Sequence, residues 1–98
     1  MKTTVVHCKK KSYDIYIGRP SQFGNPYSHL SGTLAEFKVD TREEAIEKYR
    51  EYILGRPDLL ALLPTLKGKR LGCFCRPQRC HGDVLIELID ELYPDTND

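Results

Sequence analysis

Tryptophan is missing, methionine occurs once, and no long apolar run interrupts these 98 residues. Without such a run there is no membrane-spanning helix, which needs about 20 predominantly apolar residues. The opening Met1-Lys2-Thr3-Thr4-Val5-Val6 lacks the apolar stretch of a secretory signal, so a cytoplasmic, reducing setting with no membrane partner is expected. An excess of charge is lacking too. The formal net charge of +1 supplies no bulk attraction to nucleic acid or to acidic lipid. Repeats, low-complexity tracts and linkers are also absent, and a chain this short buries one core. A single domain over residues 1–98 is expected, with a flexible tail from about residue 94.

What is present is unevenly placed. Of the cysteines, Cys8 stands apart while Cys73, Cys75 and Cys80 fall within eight residues. That clustering fits a local site better than a disulfide framework. Lys9, Lys10 and Lys11 form one basic run; Lys67, Lys69, Arg70, Arg76 and Arg79 form another. Most such charges are solvated surface.

Hydrophobic periodicity divides the chain. Residues 3–8 and 15–17 are rich in β-branched residues and read as short strands, the second ended by Gly18. A long loop follows over residues 18–32, rich in Ser, Gly, Asn and Pro, and long loops in compact domains tend to carry function. Asp40 and Glu43 stand at capping-box spacing before a helix expected to reach about Leu54, with Ala45, Ile46, Tyr49, Tyr52 and Ile53 on one face. Gly55 closes it and Pro57 opens a short apolar helix that Pro64 limits. After a polar turn at Gly68, residues 71–75 read as a buried strand. Val84, Leu85, Leu88, Ile89 and Leu92 mark a last amphipathic helix. The fold class is therefore α/β: a small parallel or mixed sheet of three or more strands covered by helices. Ligands of such sheets bind beyond the strand carboxyl ends, where both the loop after Ile17 and the segment after Cys75 begin.

Two constellations carry chemistry. In Cys73-Phe74-Cys75-Arg76-Pro77-Gln78-Arg79-Cys80-His81, strand alternation sets Cys73 and Cys75 on one side, about 6–7 Å apart. Cys80 and His81 fall at the start of the last helix, where backbone N–H groups and the positive dipole end favour a thiolate, aided by Arg76 and Arg79. Three uses compete. Cys73, Cys75, Cys80 and His81 form a donor set that suits zinc, at a spacing unlike the usual C-x₂₋₄-C. Alternatively Cys80 is a nucleophile with His81 or His29 as its base. In the third, the cysteines are small buried hydrophobes, which is the favoured account of Cys73 alone.

The second constellation is Gly18-Arg19-Pro20-Ser21-Gln22-Phe23-Gly24-Asn25-Pro26-Tyr27. Gly18 and Gly24 permit close backbone approach or positive φ, and Pro20 and Pro26 stiffen the path. Arg19 offers a planar fork to phosphate or carboxylate, Ser21 and Asn25 add neutral polar groups, and Phe23 and Tyr27 are able to stack a flat ring. The alternative is a rigid loop whose aromatics plug the core. His7 and Cys8 read as ordinary strand-end residues.

These motifs, with Thr41-Arg42-Glu43-Glu44-Ala45, Tyr49 and Cys80-His81-Gly82-Asp83-Val84-Leu85, resemble the domain of unknown function 4326 family, met in bacteria and their phages. The resemblance spans Tyr13 to Leu92. It implies a shared pattern at Gly18, Arg19, Ser21, Gly24, Asn25, Pro26, Cys73, Cys75, Pro77, Cys80 and His81, and does not extend to His7, Cys8, Arg76 or Arg79. The Cys73…Cys80-His81 arrangement is more weakly similar to the domain of unknown function 488 family, which usually carries Arg where this chain has Gly82. The residues point to a nucleotide-like or other anionic small molecule held by Gly18, Arg19, Ser21, Gly24, Asn25 and Tyr27, with Cys80 and His81 as catalytic candidates. The alternative is a zinc-stabilised module for a protein or nucleic acid partner.

Overall fold

Strands that are distant in sequence lie side by side. The computed structural model describes residues 2–19, 21–28, 37–74 and 78–94. The expectations for His29, Cys75, Arg76 and Pro77, and for most of the tail, fall outside them. β1 (Thr4–His7), β2 (Ile15–Tyr16) and β5 (Arg70–Cys73) form a parallel sheet in the order β1-β5-β2. The protein is thus α/β, as its pattern of elements implies. A second parallel pair joins β3 (Tyr27–Ser28) to β4 (Phe37–Lys38). Neither was legible as a strand, because neither carries the β-branched residues by which residues 15–17 were read.

Register fixes which residues share a face. Val5 and Ile15 flank Leu71, while Val6 and Tyr16 flank Gly72. Leu71 and Cys73 are fully buried beneath α3 (His81–Leu92), whose start approaches the sheet closely: a Cβ on Gly82 would lie 2.7 Å from Val5 Cγ2 and 2.9 Å from Ile17 Cδ1. α3 is apolar where it meets the core, through Val84, Leu85, Leu88 and Ile89. Leu92, expected on that face, is instead half exposed at the final residue of the helix.

α1 (Arg42–Leu54) packs on α3 and on β3 through Ala45, Ile46, Tyr49 and Ile53. Its cap sits one residue later than the sequence suggested. Thr41 Oγ1 accepts from Glu44 N at 3.1 Å, and Glu44 Oε1 accepts from Asp40 N at 3.0 Å. Thr41 has the extended backbone of an N-cap, and hydroxyl and carboxylate spacings fit either register equally. Gly55 and Pro57 act as expected, with Pro57 opening α2 (Pro57–Leu60). Pro64 lies within a 3₁₀ turn, Leu63–Leu66, whose leucines at both ends are buried. Gly68, with φ 76°, makes the turn into β5 in the left-handed region that favours glycine, and its N–H donates to the buried Thr3 hydroxyl at 2.8 Å.

Candidate functional site

The carboxyl ends of β1, β2 and β5 bring His7, Tyr16, Ile17 and Cys73 to one edge of the sheet. From there two tight hydrogen bonds draw the loop in, Ser21 N donating to Gly18 O and Gly24 N to Ser21 O. Neither Gly18 nor Gly24 has positive φ. Their use is close approach: a Cβ at Gly18 would lie 2.4 Å from the Tyr16 hydroxyl oxygen, and one at Gly24 would crowd the Arg19 backbone and Ser21 O, each at 3.1 Å.

Most of the loop is stapled to the helices. Asn25, buried, donates through Nδ2 to Ala45 O at 3.1 Å and accepts from Tyr27 N at 2.9 Å. The Tyr49 hydroxyl donates to Phe23 O at 2.6 Å, and burial holds that phenol well above its ordinary pKa. Phe23 is part of the core, and Tyr27 stacks on Phe37 with centroids 5.1 Å apart. The aromatics of this loop therefore pack within the protein.

Arg19 is held differently. Its Nη1 donates to Asn25 O at 2.9 Å, and its own carbonyl accepts from the Tyr16 hydroxyl at 2.9 Å. The other guanidinium nitrogens have no partner among the described residues, and the guanidinium lies half-buried. Ser21 Oγ is buried without a hydrogen-bond partner.

Cys80 caps α3. Its extended backbone turns the thiol to accept from Gly82 N at 3.3 Å, and Asp83 Oδ2 accepts from Cys80 N at 2.9 Å, closing a capping box. Cys80 Sγ lies 3.2 Å from Cys73 Sγ, a thiol–thiol contact longer than a covalent bond of about 2.05 Å. Both side chains are buried, at 1% and 2% exposure. His81 Nε2 lies 2.7 Å from Ile17 O. A carbonyl only accepts, so Nε2 carries the proton. Its ring meets Tyr49 edge-on at 4.9 Å. Arg79, expected to bias the thiol, pairs with Glu87 at 3.1 Å. No group of three or more His, Cys, Asp or Glu among the described residues is arranged to hold a metal ion. The structure thus joins His81 to the strand end before Gly18 and, through Tyr49, to Phe23.

A row of rings escaped the sequence reading. Tyr13, Tyr16, Phe74 and His7 follow one another with centroids 6.2, 6.1 and 6.0 Å apart. Phe74 and Tyr13 are exposed, at 54% and 42%. Burial lifts the Tyr16 phenol above its ordinary pKa, with Cys8 adding to the effect and Arg19 opposing it. The signal was available in the alternation of β5: if Cys73 faces the helices, Phe74 does not.

A protein-family model described as Domain of unknown function (DUF4326) matches residues 3–91. An uncharacterized 12.4 kDa protein of Enterobacteria phage T4, from the nrdA-td intergenic region, is 33% identical over 95 residues, covering 93% of this chain and 81% of the phage protein. An uncharacterized protein of Acanthamoeba polyphaga mimivirus is 36% identical over 86 residues, covering 76% of this chain and 65% of its own length. No solved structure matches. No helix among the described residues is long and apolar enough to cross a membrane.

Proposed function

The chain belongs to the family described as Domain of unknown function (DUF4326), and from that premise we propose that it binds a nucleotide-like, anionic small molecule at the carboxyl edge of its sheet. One observation carries the reading. Arg19 is fixed by a single nitrogen on Asn25 O, and its remaining donors have no partner among the described residues. A guanidinium anchored at one corner is already oriented, so less side-chain entropy is lost when the free edge takes a phosphate. Ser21, whose buried hydroxyl has no hydrogen-bond partner, stands two residues on, and Gly24 packs against Arg19 and the Ser21 carbonyl. Tyr16, whose hydroxyl donates to Arg19 O, supplies a ring face beside this polar corner.

In this reading Asn25, Gly18, Gly24 and the buried Ser21 shape the loop, and Arg19 meets the ligand. Cys80 and His81 hold the helix start against the loop. Isothermal titration with adenosine monophosphate, and with inorganic phosphate as the ring-free control, tests it. Adenosine monophosphate should bind and phosphate should bind less tightly. Arg19→Gln should weaken the nucleotide roughly ten- to a hundredfold, the usual range for losing hydrogen bonds to a charged group. Equal affinity in the Arg19→Gln protein, or no binding to the parent, overturns the proposal.

A further inference from the structure

Parallel sheets are almost always covered on both faces. Here one face lies under α3, where Leu71 and Cys73 are 0% and 1% exposed. The opposite face is that of Gly72 and Tyr16, which share a register position. Among the described residues its cover is the crossover from β1 to β2, and the contact is made by Tyr13: a Cβ on Gly72 would lie 2.7 Å from Tyr13 Cγ. Tyr13 is nevertheless 42% exposed, and Phe74, at the end of the same row of rings, 54%. An open sheet face bearing three aromatic rings in a row, with Tyr16 touching both Tyr13 and Phe74, is a surface for flat ligands.

The charge beside that face selects among partners. After β1 the chain turns on His7, whose Nδ1 accepts from Lys9 N at 3.1 Å and whose carbonyl accepts from Lys10 N and Lys11 N, each at 3.0 Å. The turn sets three successive lysines at the start of the crossover. All three are exposed and none has an ion-pair partner among the described residues. The acid of the crossover, Asp14, is taken up by Arg70 at the start of the central strand.

We propose that single-stranded nucleic acid lies across this face, stacking bases on Tyr13, Tyr16 and Phe74 and setting phosphates against Lys9, Lys10 and Lys11. The inference rests on the nucleotide reading of Arg19 and extends it from one nucleotide to a strand. Bases of a single strand expose their faces to aromatic side chains; those of a duplex are stacked on each other and do not. Local lysines attract a polyanion even where the net charge of the chain is small.

Fluorescence anisotropy with labelled oligodeoxythymidylate, the same strand in a duplex with oligodeoxyadenylate, and adenosine monophosphate as competitor tests it. The single strand should bind at least about tenfold more tightly than either the duplex or the mononucleotide, since each stacked base contributes on that scale. Phe74→Ala should weaken the strand by about tenfold and leave the mononucleotide within about threefold. Because Phe74 is more than half exposed, that variant spares the packing of Tyr13 on Gly72. Replacing Lys9, Lys10 and Lys11 together by Gln should reduce the logarithmic salt slope by about 2. A duplex bound as tightly as the strand, or a strand bound no more tightly than a mononucleotide whose affinity still depends on Arg19, overturns this inference and leaves the nucleotide reading standing. Absence of binding to both strand and mononucleotide overturns the two together.

Discussion

His81 Nε2 donates to Ile17 O across 2.7 Å, so the first residue of α3 holds the last residue before the Gly18 loop. Ile17 is fully buried, and a buried carbonyl deprived of its donor is destabilising. His81→Phe keeps a ring against Tyr49 but offers no proton. It should lower the free energy of unfolding by about 1–3 kcal/mol in urea titration, and His81→Gln, which retains an N–H donor, should recover part of that loss. Equal stability of the Phe variant and the parent would show that the contact contributes nothing.

Tyr49 joins the same loop from α1. Its hydroxyl donates to Phe23 O at 2.6 Å, and burial holds its pKa well above the ordinary value near 10. The sign of the pH effect follows. A phenol kept neutral in the folded protein contributes its full stability below pH 10, and that stability is lost as the unfolded chain ionises at higher pH. Tyr49→Phe should therefore be less stable by about 1–2 kcal/mol at neutral pH, having orphaned the Phe23 carbonyl. The gap should shrink as pH rises past about 10. Thermal unfolding of both proteins between neutral pH and pH 11 measures it. A gap that widened with pH would be inconsistent with a buried neutral phenol.

Legibility in the sequence followed the residue pattern each element carries. β1, α1 and α3 carry enough residues for their period to show, and each lies within a residue or two of its expected place. β3 and β4, at two residues each, carry none. Asn25 and Phe23 were recognisable as important but not by role, because whether a loop amide meets a ligand or Ala45 O depends on where a helix twenty residues on is packed. The ring row was missed for a different reason. His7, Tyr13, Tyr16 and Phe74 come from three separate segments, and only the β1-β5-β2 order brings them together. Arg79 shows the same limit in charge. It adjoins Cys80 in sequence, yet its guanidinium is spent on Glu87, within α3.

Cys80 acts as an N-cap in this structure, and caps have a known scale. Cys80→Ala removes the acceptor for Gly82 N and should destabilise the fold by about 1 kcal/mol or more; Cys80→Ser keeps an acceptor and should be the more stable of the two. The carboxylate of Asp83 completes the box on Cys80 N, so Asp83→Ala should cost about 0.5–1 kcal/mol. Site-resolved alkylation adds an independent measurement. Cys8, half-buried, should label with iodoacetamide before Cys73 and Cys80, which should label only when the protein opens. Rapid labelling of Cys80 in folded protein would contradict its buried place beneath the helix start.

Gly72 and Tyr13 allow the open face to be tested for structure before any ligand is added. A Cβ at residue 72 would lie 2.7 Å from Tyr13 Cγ and 3.1 Å from Tyr13 Cβ, at the root of the side chain, where turning the ring about χ2 moves neither atom. Gly72→Ala should therefore lift the crossover from the sheet and lower stability by about 1–3 kcal/mol, the usual range for overpacking. In a Tyr13→Ala background the new methyl meets no ring, and the same change should be nearly neutral, or mildly stabilising as strand glycines are relieved of their excess chain entropy. The coupling energy of this cycle, read by urea unfolding of the four proteins, should reach about 1 kcal/mol or more. Additive effects within about 0.3 kcal/mol would mean that Tyr13 does not rest on Gly72 in solution. The face opposite α3 would then have another cover, and the stacking surface drawn from Tyr13, Tyr16 and Phe74 would lose its first member.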